Sequence, residues 1–278
     1  MFTKQLGDTK IQIPTIGLGT SLFIENPSII TEGIKLGATH IDTAESYGTE
    51  PAVGKAIKNI RDQVFLSTKI SPKNFSKKNV LKAANNSLEN LNVDHIDLYQ
   101  LHAFNEEIPI EETMNAMNDL VDQGKVKFIG VSNFNVKQLK RAQKASKHKI
   151  VSNQVLYNLY DREIEKDLIP FCEKNKITII AYTPVGKFGY TNEQKGERKR
   201  AEIGDQDVNI KIRRTLDCIG NEIGKTWAQV ALNWCVINPQ VIAIPKASTK
   251  QRILENLQST SFTLSNSQIN LLENLTLK

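Results

Sequence analysis

A chain of 278 residues with 40% hydrophobic and 24% charged content is long enough to bury one barrel-sized core. Its net charge of +6 comes from 36 Lys and Arg against 30 Asp and Glu spread along the whole chain, which argues against a nucleic-acid groove built on a basic stripe. No apolar run reaches membrane-spanning length, Met1 to Gly7 holds no apolar signal core, and Cys172, Cys218 and Cys235 are too scattered for a zinc site or a disulfide framework. A cytoplasmic protein with reduced thiols is expected.

Taken in order, Phe2 to Ile13 predicts a β-hairpin turning at Gly7-Asp8, and Pro14 ends it before a strand from Ile16 to Gly19. Strands and helices then alternate. Pro27 to Leu36, closed by Gly37, predicts a helix, and a short strand runs from Thr39 into Asp42. Pro51 opens a second helix through about Lys58, and Val64 to Lys69 is the next strand. Val80, Leu81, Ala84, Leu88 and Leu91 share one helix face ahead of a strand from Ile96 to His102. Pro109, with Glu111 and Glu112, starts a helix that Gly124 ends, and Val126 to Ser132 follows as a strand. Asn135 caps a helix carrying Val136, Leu139, Ala142 and Ala145, after which Ile150 to Val155 is the sixth strand.

Ile164 to Lys174 predicts another helix and Ile177 to Tyr182 the seventh strand. Gly186 to Arg214 is long, polar and charged, with a dense basic cluster from Lys195 to Arg200, and predicts a functional flap or mobile loop. The helix from Thr226 to Val236 opens with a capping box, Thr226 and Gln229, and should bury Trp227, Val230, Ala231 and Trp234. Strand eight is Val241 to Ile244. Two helices close the chain, one after Thr249 and one opened by Ser265 with Gln268. Eight βα units in one domain, 1–278, describe an α/β fold of the (β/α)8 TIM-barrel kind, with the N-terminal hairpin as a plug. A doubly wound open sheet is the alternative. It is disfavoured because Gly17-Leu18-Gly19-Thr20 lacks both the third glycine of a dinucleotide fingerprint and a helix start.

Such a barrel gathers its active site at the C-terminal ends of several strands. Asp42, Lys69, His102, Ser132, Gln154 and Tyr182 all fall at or near such ends. Asp42 leads into a polar, Gly-terminated loop that holds Tyr47. A phenol, with an ordinary pKa of about 10, needs a cation beside it to serve as a proton donor at neutral pH. Lys69 would lie level with Asp42 if their strands are parallel neighbours, so the carboxylate could hold the ammonium in place.

The stretches G-L-G-T (Gly17 to Thr20), D-T-A-E-S-Y-G (Asp42 to Gly48), S-T-K (Ser67 to Lys69), L-Y-Q-L-H (Leu98 to His102), I-G-V-S-N-F (Ile129 to Phe134), N-Q-V (Asn153 to Val155), A-Y-T-P-V-G (Ala181 to Gly186) and I-P-K-A-S-T-K-Q-R-I-L-E-N (Ile244 to Asn256) occur in that order. Together they resemble the aldo-keto reductase family across essentially the whole chain. The resemblance implies reduction of an aldehyde, ketone or aldose by hydride from NADPH, without a metal. The expected partner is that small carbonyl substrate, with no nucleic acid or membrane, and the expected state is a monomer or weak oligomer. It also implies Tyr47 as proton donor beside the Lys69 ammonium, Asp42 as the partner of that lysine, and His102 as the group that orients the carbonyl.

On the cofactor side, the resemblance implies that Ser132, Asn133 and Gln154 bind the nicotinamide carboxamide while Tyr182 stacks on the ring. Gly19, Thr20, Asp42, Thr183, Pro184, Val185, Gly186, Pro245 and Ala247 complete those contacts. Lys246, Ser248 and Arg252 match positions that hold the adenosine 2′-phosphate at a helix start, where backbone amides suit a phosphate, and Glu255 with Asn256 match adenine contacts. Ser21, Ser71 and Ala103 stand where many members carry aromatics, so with Tyr47 and His102 they imply a wide, wet pocket. An NADPH-binding regulatory or interaction subunit with little turnover is the other role the resemblance leaves open.

Overall fold

A computed structural model describes residues 2–21, 26–186 and 206–275. β1 (Thr3–Gln5) and β2 (Gln12–Pro14) form an antiparallel hairpin with Lys4 opposite Ile13. Eight parallel strands follow: β3 (Leu18–Gly19), β4 (His40–Asp42), β5 (Phe65–Ile70), β6 (Ile96–Leu101), β7 (Val126–Ser132), β8 (Ile150–Leu156), β9 (Thr178–Tyr182) and β10 (Val241–Ala243). Each pairs with the next in sequence, and the last returns to the first. Ile16 and Gly19 bridge to Ala243 and Lys246, with Gly17 N donating to Ala243 O at 2.8 Å and Ala243 N to Thr15 O at 2.9 Å. The sheet is a closed (β/α)8 barrel, as expected. Closure needs a glycine at position 19, where an added Cβ would stand 2.7 Å from Ile244 O.

The hairpin stops one end of the barrel. Gly7 takes φ +51° and lies so close to Val151 that an added Cβ would come within 2.6 Å of its carbonyl oxygen. The Gly7 N–H donates to Thr178 Oγ1 at 2.7 Å, at the start of β9. Leu6 and Ile13 are fully buried against Leu98, Val151, Ile180 and Ile242. Sealing that end with apolar side chains leaves the other end, where the strands finish, for polar ones.

The helices are α1 (Pro27–Lys35), α2 (Glu50–Ile57), α3 (Lys77–Leu91), α4 (Ile110–Asp122), α5 (Val136–Ala145), α6 (Leu168–Asn175), α7 (Gln206–Ile223), α8 (Trp227–Cys235), α9 (Lys250–Leu257) and α10 (Asn266–Glu273). Three begin with reciprocal capping boxes, at Asn135 with Gln138, Thr226 with Gln229 and Ser265 with Gln268, each pairing orphan N–H groups of the first turn. Their apolar faces cover the outside of the sheet in one large core. Three expectations change. Residues 206–214 are not loop but the first half of α7, which buries Ile212, Leu216 and Ile219, while the Lys195 to Arg200 cluster lies outside the described residues. The helix expected from Ile164 starts at Leu168, after a separate 3-10 turn at Glu163–Glu165, and Trp227 is half-buried beneath the Arg213 guanidinium, 4.3 Å from its ring centre.

Candidate active site

Alternate residues of a strand share a face, so Asp42 on β4, Lys69 on β5, Gln100 on β6 and Gln154 on β8 can all point into the barrel. The register places Asp42 opposite Ser67 and Lys69 opposite Gln100. Lys69 is therefore two residues further along than the level position expected from the sequence. Its long side chain spans the offset. Nζ donates to Asp42 Oδ1 at 2.6 Å and to Thr43 O at 2.7 Å, with both side chains buried, Lys69 at 0% and Asp42 at 2% exposure. The other carboxylate oxygen, Oδ2, accepts from Gln154 Nε2 at 2.9 Å and Gln100 Nε2 at 3.3 Å. A buried ion pair is tolerated only when its remaining lone pairs are satisfied, and these two amides satisfy them.

Tyr47 sits on the 3-10 turn Glu45–Tyr47, which follows β4 and ends at Gly48 in the left-handed region, φ +69°. The Lys69 ammonium lies 5.0 Å from the centre of the Tyr47 ring. The His102 ring meets Tyr47 edge-to-face with centres 5.6 Å apart. Burial, and then the nearby Lys69 charge, holds the His102 imidazole below its ordinary pKa. It is therefore neutral at neutral pH, with one ring N–H to donate. All four residues expected to do chemistry thus converge.

The residues expected to hold the carboxamide also lie together. Ser132 Oγ donates to Gln154 O at 2.8 Å. Asn133 takes φ +59°; its Nδ2 donates to His102 O and to Ser132 Oγ, both at 3.1 Å, and its Oδ1 accepts from Tyr182 OH at 3.0 Å. One side chain thus ties the ends of β6, β7 and β9. Thr183, at φ +52°, and Gly186 close a turn after β9 through Gly186 N donating to Thr183 O at 2.9 Å, with Pro184 and Val185 between them. Thr20 is buried and donates to Asp42 O at 3.0 Å.

Pro245 and Ala247 are buried, whereas Lys246, Ser248 and Arg252 are exposed around the start of α9, where Arg252 N donates to the Thr249 cap at 3.3 Å. No acidic residue interrupts 245–252, so this donor set fits a phosphate. Asn256 is half-buried. The Glu255 carboxylate accepts from Thr226 Oγ1, so in this structure it also holds the start of α8. Ser21 and Ala103 are half-buried and Ser71 is 9% exposed. The aromatic beside Ala103 does not replace a pocket wall, since Phe104 packs edge-to-face on Phe134 at 5.1 Å, under the Arg141 guanidinium.

Sequence reasoning passed over Gln100 and Glu45. Gln100 was detectable as an inward position two residues before His102. Glu45 accepts from Ser71 N at 2.7 Å and Asn74 Nδ2 at 3.0 Å, partners on another loop that no local pattern announces.

The model of the Aldo/keto reductase family matches residues 25–276. A methylglyoxal reductase of Escherichia coli is 33% identical over 274 residues, covering 95% of this chain and 91% of that protein. Among solved structures, the thermostable aldo-keto reductase Tm1743 in complex with the inhibitor epalrestat is 38% identical, covers 99% of this chain and 100% of its own, and has a TM-score of 0.89. An aldo/keto reductase from Klebsiella pneumoniae in complex with NADP and acetate is 32% identical, covers 98% and 94%, and has a TM-score of 0.85.

Proposed function

Because this chain belongs to the aldo-keto reductase family and is an oxidoreductase acting on carbonyl groups, we propose that it reduces small polar aldehydes and ketones, with Tyr47 as the proton donor. NADPH is its cofactor, and when bound supplies the hydride. The observation that carries the reading is the buried Lys69–Asp42 pair beside the Tyr47 ring, with His102 on the edge of that ring.

In this reading the neutral His102 imidazole donates to the carbonyl oxygen and sets its orientation. Tyr47 gives its proton to that oxygen as negative charge builds there, and the Lys69 ammonium stabilises the phenolate left behind. Asp42, clamped by Gln100 and Gln154, keeps the ammonium in position. Ser132, Asn133 and Gln154 would hold the carboxamide, the Tyr182 ring would stack on nicotinamide, and Lys246, Ser248 and Arg252 would hold the 2′-phosphate. The small side chains Ser21, Ser71 and Ala103 favour compact, hydrated substrates. The likeness to a methylglyoxal reductase points the same way, and the free thiols Cys172, Cys218 and Cys235 suit a cytoplasmic enzyme.

The test is NADPH oxidation with a panel of methylglyoxal, other small aldehydes, aldoses and bulky ketones. Turnover on the small aldehydes is expected. NADPH binding without turnover on any member of the panel would instead assign the chain a binding or regulatory role.

A further inference from the structure

A three-residue 3-10 turn is a weak support for a proton donor, because its hydrogen-bond geometry is poor and it makes few bonds of its own. None of the three residues Glu45–Tyr47 is buried, and the turn's own backbone contributes Tyr47 N donating to Ala44 O at 3.0 Å. At its far end, Gly48 has open space where a side chain would be. Something else must hold the phenol steady against Lys69 and His102.

Glu45 lies two residues before Tyr47 and reaches across to the segment that follows Lys69. Its Oε1 accepts from the backbone N–H of Ser71 at 2.7 Å and from Asn74 Nδ2 at 3.0 Å. Ser71 directly follows β5, and Asn74 closes the short 3-10 turn Pro72–Asn74. Among the described residues these are the only side-chain hydrogen bonds that the Tyr47 turn makes, and both are charge-assisted. One carboxylate oxygen thus joins the turn that carries the phenol to the exit of the strand that carries the ammonium.

We propose that Glu45 is a positioning residue, which fixes the Tyr47 turn against the exit of β5 and so presets the phenol relative to Lys69 and His102. This rests on the assignment of Tyr47 as proton donor. Glu45 acts chiefly through the acceptor oxygen: Oε2 makes no hydrogen bond among the described residues, and a glutamine carbonyl can accept from the same two donors. The cost of releasing the turn should fall on kcat, because a displacement of about 1 Å at a reacting group can cost roughly a hundredfold in rate.

The experiment compares Glu45→Ala, Glu45→Gln and Asn74→Ala, the two Glu45 variants also in a Tyr47→Phe background. It measures kcat, KM, the NADPH dissociation constant and thermal stability with the best substrate of the panel. Glu45→Ala should lower kcat by about tenfold or more while leaving NADPH affinity within about twofold. Glu45→Gln should recover most of that loss, and Asn74→Ala, which removes one of the two bonds from the other side, should show a smaller fall. In Tyr47→Phe the alanine should cost nothing further, since no phenol remains to be placed. A wild-type kcat in Glu45→Ala, an equal fall in both backgrounds, or a glutamine as poor as the alanine would each overturn the proposal. If Glu45→Ala does not fold, an unchanged kcat in Asn74→Ala would overturn it. Turnover retained by Tyr47→Phe alone would instead refute the proton-donor assignment, so the two failures are distinguishable.

Discussion

Asp42 and Lys69 meet across a two-residue register offset: β4 pairs Asp42 with Ser67, yet the Lys69 ammonium reaches the Asp42 carboxylate at 2.6 Å. Only a long, unbranched cation does this from that position. Lys69→Met should therefore abolish most turnover and also destabilise the fold, by about 3–5 kcal/mol, because it leaves a buried carboxylate uncompensated. Adding Asp42→Asn to Lys69→Met should cost less than the sum of the single losses. Denaturant unfolding of the three variants checks this, and strict additivity would contradict it.

Acid should unfold the protein partly through His40. This imidazole is fully buried on β4, with Nε2 paired to Ser67 Oγ at 2.9 Å, and burial pushes its pKa down to about 4 from 6.5. Between those values the unfolded chain binds a proton that the native state does not, so stability is lost as pH falls through the window, up to about 3 kcal/mol. His95 and His102 are shifted in the same direction and add the same sign. His40→Gln should flatten the dependence of stability on pH between about 6.5 and 4. An unchanged slope would show that the histidine is not the source.

A preference for NADPH over NADH should come from Lys246 and Arg252 on either side of Ser248. All three are exposed, so each charge-assisted contact is discounted for screening, and about tenfold to a hundredfold discrimination remains. It should weaken with salt. Dissociation constants of both cofactors for wild type and Arg252→Ala check it: equal wild-type affinities, or a variant that weakens both alike, would contradict the assignment.

Substrate ranking should follow the small side chains at 21, 71 and 103. With Phe104 turned onto Phe134, the loop after β6 contributes no aromatic wall beside Ala103. Values of kcat/KM across the panel should favour compact polar aldehydes, and a bulky apolar ketone at the head of the ranking would contradict this.

Local signals carried most of the fold. Each capping box at Asn135, Thr226 and Ser265, and the Gly7 turn, is written in residues a few positions apart, and the structure realises each one. α7 was missed because Val208, Ile212, Leu216, Ile219 and Ile223, although helically spaced, are separated by Lys211, Arg213, Arg214, Asp217 and Glu222 and follow directly on a polar run. Asp42, Lys69 and His102 were legible as strand ends, and Tyr47 as the phenol in the loop after Asp42. The two-residue offset of Lys69 was not, because register in a barrel is set by tilt and closure rather than by adjacent residues. Gln100 and Glu45 escaped for the same reason: their partners lie 58 and 26 residues away.

The most direct test of the account is Tyr47→Phe, assayed for carbonyl reduction and, separately, for NADPH binding. In the proposed mechanism the phenol acts on the substrate oxygen in the transition state and not on the cofactor, so turnover should fall to near background while the NADPH dissociation constant stays within a few fold, roughly, of wild type. Near-normal turnover in this variant would contradict the central claim.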